Sequence, residues 1–287
     1  MKGLILAGGQ GSRLFPMTKS LSKQLLPVYD KPMIYYPLGT LMLAGIRDIL
    51  IIVDPKQRIN FEILLGNGEK FGINLNYVTQ DKPDGIPQAF SLGSNFINND
   101  ASCLILGDNI FHGPSLGRSL ADAFTHSGAN IFAYDIDDPS SYGVVELEGN
   151  QVISIQEKPK IPKSNFAIPG LYFFDSEVCE RVKTLKPSAR GETEITDLLR
   201  TYLDKNSLGV KKLQRGTVWM DSGTPKGLHD ASTYIRIIEE RQGLKVSCLE
   251  EIAFLQGWIS KQELEDLISY MQTNEYSNYL RKKVLNK

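Results

Sequence analysis

The chain has 287 residues, enough to bury a substantial core either as one large domain or as a domain with a smaller appendage. Its 32 Lys and Arg against 33 Asp and Glu leave no overall field to hold nucleic acid or an anionic membrane, so any basic group that matters acts locally. Three widely spaced cysteines, Cys103, Cys179 and Cys248, with no CxxC pair, argue against a disulfide framework or a zinc site.

The apolar run at 3–7 is too short for a secretion signal before glycines interrupt it, and no later run reaches membrane-spanning length. A soluble, cytoplasmic protein without repeats or low-complexity tracts is expected.

That first run, a predicted strand, leads directly into Gly8-Gly9-Gln10-Gly11-Ser12-Arg13-Leu14. A turn without Cβ atoms lets backbone amides close on a large anion, and phosphate is the natural guest. The spacing is not the dinucleotide-binding GxGxxG, because Leu14 holds the third glycine position, and it is not the P-loop GxxxxGK[ST]. Arg13 supplies a planar fork for phosphate oxygens and Lys23 a point charge, a pair suited to a triphosphate. On these residues alone the turn serves equally well as a plain strand-to-helix connection with two solvated cations.

Further along, Leu38, Leu41 and Met42 form a helical face that stops at Gly45, and strands are predicted at 48–53, 75–79 and 102–106. Leu116, Leu120, Ala123 and Phe124 form a second helical face before a strand at 130–134. This alternation predicts an α/β fold, a Rossmann-like doubly wound sheet whose ligands sit outside the carboxyl ends of the strands. Three side chains stand out at such ends. The amide of Gln80, beside the turn Pro83-Asp84-Gly85, has the donor and acceptor needed for a pyrimidine imide edge. Asp108 ends the strand at 102–106, and Asp221 ends another predicted at 217–220; two such carboxylates suit Mg2+, although on spacing alone a turn-capping role is the commoner one.

From Gly143 the pattern alternates, and runs at 144–147 and 152–155 flanking Gly149-Asn150 predict an antiparallel hairpin insertion that makes the sheet mixed. A strand at 170–174 and a helix at 194–203 follow. Beyond Asp221, Ala231, Tyr234, Ile235 and Ile238 have helical spacing, as do Leu264, Leu267, Ile268 and Met271 behind a Ser260 to Glu263 capping box. The expected division is a core of 1–225, with halves at about 1–135 and 136–225, and a small helical C-terminal appendage at 226–287. His112, His126 and His229 are scattered without ligand spacing, and no nucleophile elbow or Cys-His pattern suggests covalent catalysis.

The glycine-rich turn with Pro16, Thr18 and Lys23-Gln24-Leu25-Leu26-Pro27 resembles the nucleotide-binding motif of the sugar-phosphate nucleotidylyltransferases. The resemblance continues, in family order, through Gln80, Pro83-Asp84-Gly85, Leu106-Gly107-Asp108-Asn109, Tyr142-Gly143-Val144-Val145, Glu157-Lys158-Pro159, Gly170-Leu171-Tyr172, Glu194-Ile195-Thr196-Asp197 and Trp219-Met220-Asp221-Ser222-Gly223-Thr224. It spans nearly the whole chain. Gln10, Ser12 and Pro87 depart from the residues most common at their positions, and Ser12 keeps the usual hydroxyl.

The resemblance implies that Gly8, Gly9, Gly11, Ser12, Arg13, Lys23, Gln24, Gln80, Gly85 and Asp108 bind a nucleotide in the first half. It gives the sugar phosphate to the second half, with Glu157 on the hydroxyls, Gly143 as a close backbone wall, Lys158 and Arg190 on the phosphate, and Asn109, Tyr142, Ile168 and Tyr172 lining the pocket. It assigns Mg2+ to Asp108 and Asp221, and catalysis to Arg13, Lys23 and Lys158. The reaction it implies moves a thymidylyl group from dTTP to glucose 1-phosphate and releases pyrophosphate, the first step towards dTDP-rhamnose-type sugars, in a homotetramer with feedback at an interface. UTP or another donor is the nearest alternative, and a non-catalytic regulator that binds a sugar nucleotide is a more distant one. A bifunctional acetyltransferase would need a hexapeptide-repeat β-helix after the core, where an α-helical tail is predicted instead.

Overall fold

The four apolar runs nearest the N-terminus pair in parallel, in the order Asn74–Thr79, Asp48–Val53, Lys2–Ala7, Ser102–Leu106. The computed structural model describes residues 1–123, 127–189 and 191–285. Successive strand residues point to opposite faces. Ile5, Ile51 and Ile105 therefore join one apolar cluster, and Leu4, Leu50 and Leu104 a second. Helices cover both faces, which is why these strands read as continuous apolar runs and not as alternation. Their carboxyl ends lie along one edge, where Gly8, Gln80 and Gly107-Asp108 leave the sheet.

The sheet is mixed because Leu171–Phe174 lies antiparallel between Ser102–Leu106 and Ala129–Asp135. Just upstream, Phe166–Ile168 pairs with Ala129–Asp135 and also with Gly143–Glu148. One interrupted stretch of chain thus belongs both to the central sheet and to the insertion. The predicted hairpin forms from Gly143–Glu148 and Gln151–Glu157, turning at Gly149 with φ +62° and carrying a bulge between Val152 and Ser154. Leu208–Lys212, which was not anticipated, adds in parallel to Ala129–Asp135.

The strand expected at 217–220 forms as Val218–Asp221, outside the main sheet. It pairs antiparallel with Asn109–His112, in a register that sets Asp221 opposite Asn109. Helices form at Tyr35–Leu43, Leu116–Ala121 and Ile195–Leu203 as the apolar spacing required. Phe124 and His126 lie outside the described residues.

In the tail, Pro225–Gln242 begins with proline at its first position, and the Thr224 hydroxyl accepts from the Gly227 N–H at 3.1 Å. The Ser260 to Glu263 capping box closes both ways, at 3.2 and 2.7 Å, ahead of Lys261–Tyr270. Leu249, Ile252, Leu264, Ile268 and Leu280 are buried in the same cluster as Ile5, Leu38 and Ile51. Each such side chain contributes roughly 1.5–3 kcal/mol, so the tail and the sheet stabilise one shared interior. No helix among the described residues is long and apolar enough to cross a membrane.

Candidate active site

The cleft has two compartments at the carboxyl edge of the sheet. The larger, of about 400 Å³, is lined by Gly9, Gly11, Ser12, Arg13, Lys23, Gln24, Gln80, Gly85 and Asp108. The smaller, of about 160 Å³, is lined by Asn109, Tyr142, Gly143, Ile168, Tyr172 and Asp221. Arg13, Asp108, Glu157 and Lys158 face both, and mark where they join. The two groups of residues expected from sequence therefore meet at two cations and two carboxylates. Gly8 stands behind the lining: a Cβ there would lie 2.3 Å from Gln80 Oε1, so only glycine lets Gln80 pack against the turn. Arg190 lies outside the described residues.

Several local devices position these groups. Gly11 adopts φ +64° at the start of the short helix Ser12–Leu14, and its carbonyl accepts from Thr18 Oγ1 at 2.9 Å, which folds the cationic loop back on itself. Lys23 Nζ reaches Asp108 Oδ2 at 2.5 Å. Asp108 Oδ1 accepts from Asn109 Nδ2 at 3.0 Å, while Asn109 Oδ1 accepts from Gly170 N–H and Trp219 Nε1 at 3.0 and 2.6 Å. Asn109 thus ties three elements together beneath the pocket. Across the short ladder, Ser222 donates to the Asp108 carbonyl through both its N–H and its hydroxyl, at 2.9 and 2.7 Å. That ladder brings the two aspartates, distant in sequence, to one place.

Their convergence is measurable at Gly223. A Cβ there would lie 2.7 Å from a terminal nitrogen of Arg13, 2.9 Å from Asp108 Oδ2 and 2.9 Å from Asp221 Oδ1. Burial opposes ionisation of Asp108, but the Lys23 ammonium and the hydrogen bonds from Lys23 and Asn109 outweigh it and hold that carboxyl below its ordinary range. Asp221 goes the other way: burial, then the Asp108 charge, pushes its carboxyl up, against the Gly223 N–H, Arg13 and Lys23. Two carboxylates around one small space, one held ionised by Lys23 and the other undercompensated, fit a hard divalent cation that completes its shell with phosphate and water.

Glu157 ends the hairpin strand and accepts from Thr196 Oγ1 at 3.1 Å. Lys158 follows with φ +42°, a left-handed backbone that a non-glycine residue adopts at a cost of about 1–2 kcal/mol. A hydrogen bond from its N–H to the Tyr142 carbonyl at 3.1 Å holds it there, and its side chain is half exposed to the cleft. Lys158→Gly is accordingly expected to leave the melting temperature equal or higher, since relief of the backbone offsets the entropy of glycine, while turnover collapses. A calorimetric scan beside a rate measurement checks both halves; a lower melting temperature with normal turnover would make Lys158 structural.

Residues 2–237 match the family model described as nucleotidyl transferase. The chain belongs to the nucleotidyl transferase family. Glucose-1-phosphate thymidylyltransferase of Neisseria meningitidis serogroup A is 54% identical over 98% of both chains. The enzyme of that name from Mycobacterium tuberculosis H37Rv is also 54% identical, again over 98% of each chain. A Bacillus anthracis crystal structure, provisionally assigned to the same activity, is 42% identical with TM-score 0.76, covering 82% of this chain and 95% of its own.

Some lining residues had been given no role, although Leu106 and Glu194 lie within motifs quoted above. Leu6, Ile86 and Leu106 give the larger compartment apolar lining, the last two shared with the smaller one, and Glu192 and Glu194 add acidic lining. Leu6 and Leu106 at strand ends and Ile86 in a turn look like ordinary core residues in sequence, so nothing marked them as lining. Gly223 lay inside a recognised motif, but only the structure shows why it has to be small.

Proposed function

We propose that this family member catalyses Mg2+-dependent transfer of a thymidylyl group from dTTP to α-D-glucose 1-phosphate, giving dTDP-glucose and pyrophosphate. The observation that carries the reading is the meeting of the two compartments at Arg13, Asp108, Glu157 and Lys158. A nucleotide in one and a sugar phosphate in the other would bring their phosphates together there. The names of the relatives, at 54% identity over nearly full length, supply the substrates.

In the mechanism, Gln80 and Gly85 receive the base, and the amides of Gly8 to Ser12 with Arg13 and Lys23 receive the triphosphate. Glu157 accepts from sugar hydroxyls, Gly143 lets the ring approach the main chain, and Lys158 with Arg190 holds the sugar phosphate. An oxygen of that phosphate attacks the α-phosphorus in line; the new P–O bond forms as the bond to the β-phosphate oxygen breaks, and pyrophosphate leaves. The nucleophile is already an anion, so no general base is needed. What the chain contributes is positioning of two mutually repelling anions and neutralisation of charge as the transition state forms. Mg2+, when bound, neutralises phosphate charge, and Asp108 and Asp221 are the residues that would hold it. A homotetramer working in the cytoplasm completes the proposal.

A pyrophosphate-release assay crossing dTTP, UTP and ATP with several hexose 1-phosphates tests it. With glucose 1-phosphate, dTTP is expected to be best and UTP about 10–200-fold poorer, because one methyl group supports only that much discrimination. ATP should fall behind by about four orders of magnitude, since it leaves buried polar groups unpaired. Equal use of ATP and dTTP would overturn the base assignment, and release of no pyrophosphate with any pair would overturn the reaction.

A further inference from the structure

The reading of Gln80 as the base-recognising group raises the question of what fixes its amide, because a glutamine turned by 180° exchanges donor for acceptor. Thymine and uracil offer an N3–H donor beside a carbonyl oxygen, whereas cytosine offers a bare N3 acceptor beside an amine. A freely turning amide accommodates either edge.

Gln80 is buried, and it does not turn freely. Its Nε2 donates to Gln88 Oε1 at 2.6 Å. The same Gln88 oxygen accepts from the Asp84 N–H at 3.0 Å, and Gln88 Nε2 donates to Asp84 Oδ2 at 3.3 Å. Donor and acceptor chemistry alone settles every orientation in this chain of contacts. The Asp84 N–H can only donate, and its carboxylate can only accept. Gln88 has to turn its oxygen towards the first and its nitrogen towards the second. That oxygen can then only accept, so Gln80 has to present its nitrogen to it. That leaves the Gln80 oxygen beside Gly8, on a residue that itself lines the larger compartment.

We propose that Gln88 is a positioning residue for base specificity: it relays the fixed polarity of Asp84 to Gln80, so that Gln80 offers an acceptor to thymine or uracil N3–H and rejects cytosine. Admitting cytosine in the same place would set two lone pairs against each other, and turning the amide to relieve them would set the Gln80 oxygen against the Gln88 oxygen. The turn is built to keep the relay in register. Pro87 starts the helix Gln88–Leu92 with φ −59°, a value its ring imposes anyway, so Gln88 projects from a backbone with little freedom. The proposal rests on the thymidylyl reading above and adds to it a residue that need not touch the nucleotide.

The test compares kcat/KM for dTTP and dCTP, with glucose 1-phosphate fixed, in the parent and three variants. Gln88→Met removes the relay and keeps the side-chain length. It is expected to lower the dTTP to dCTP ratio about tenfold, the worth of roughly one net hydrogen bond, chiefly by raising KM for dTTP. Gln88→Glu keeps the acceptor for Gln80 but repels Asp84, and should give an intermediate ratio. Combining Gln88→Glu with Asp84→Asn restores a donor opposite the carboxylate and should return the ratio close to that of the parent. Should Gln88→Met fail to fold, the Glu variant and the double variant still carry the comparison. Equal losses for both nucleotides, or one ratio throughout the series, would overturn the relay. A parent that turns over neither pyrimidine would instead overturn the underlying reading.

Discussion

Arg13→Ala is expected to lower kcat/KM by about 10²–10³-fold while the circular dichroism spectrum stays that of the parent, the loss typical of removing one preorganised group that faces transition-state charge. Arg13 is exposed, so its removal opens no cavity in the core. Its guanidinium nonetheless reaches the Gly223 space that Asp108 and Asp221 also border, where the two compartments join. Lysine should restore only part of the rate, because a point charge lacks the planar fork that matches phosphate oxygens. Near-normal turnover by a folded alanine variant would remove Arg13 from the phosphate site.

Asp108→Asn and Asp221→Asn should both suppress turnover and weaken its dependence on Mg2+, yet they should move stability in opposite directions. Asp108 makes a largely buried pair with Lys23, with side-chain exposures of 10% and 16%. Neutralising one partner strands the other, so Asp108→Asn is expected to cost about 3–5 kcal/mol and to lower the melting temperature. Asp221 has its carboxyl pushed up by burial and by the Asp108 charge. A carboxyl raised in the folded state contributes stability at acid pH that is lost as the pH rises through its folded value. At neutral pH without metal, ionised Asp221 therefore works against the fold. Asp221→Asn should raise the metal-free melting temperature, by roughly 2–4 °C for each kcal/mol gained, and should abolish most of the further rise that Mg2+ gives the parent. Melting curves at neutral pH with and without Mg2+ check this; two variants shifting in the same direction would show that the carboxylates do not form the asymmetric pair described.

The central strands were legible because burial on both faces leaves an unmistakable apolar run, as at Asp48–Val53 and Ser102–Leu106, where both boundaries match. Leu208–Lys212 was not, since it is half exposed and carries two lysines, and nothing local distinguishes it from a connection. The strand ending at Asp221 was legible as a strand, but its partner was not. Asn109–His112 follows only two residues after a strand of the main sheet and looks like its continuation. Pairing partners are chosen by tertiary contacts, which is also why sequence could nominate Asp108 and Asp221 but not their meeting at Gly223. Gln88 is the opposite case: its environment is local, four residues from Asp84, yet its role depends on donor and acceptor directions that a sequence does not carry.

The interrupted stretch from Phe166 to Phe174 has a bearing on redesign. Because it is hydrogen-bonded into both the central sheet and the insertion, the walls of the two compartments hang on one continuous frame, while the side chains that dress each wall come from separate elements. On the proposed function, a programme of directed evolution could therefore alter Ile168 or Tyr172 for a new hexose and, in an independent lineage, the Gln80 neighbourhood for a new base, then recombine the winners with nearly additive gains. Arg13, Asp108, Glu157 and Lys158 stand outside that modularity. They line both compartments at once, and changes among them are where epistasis should concentrate.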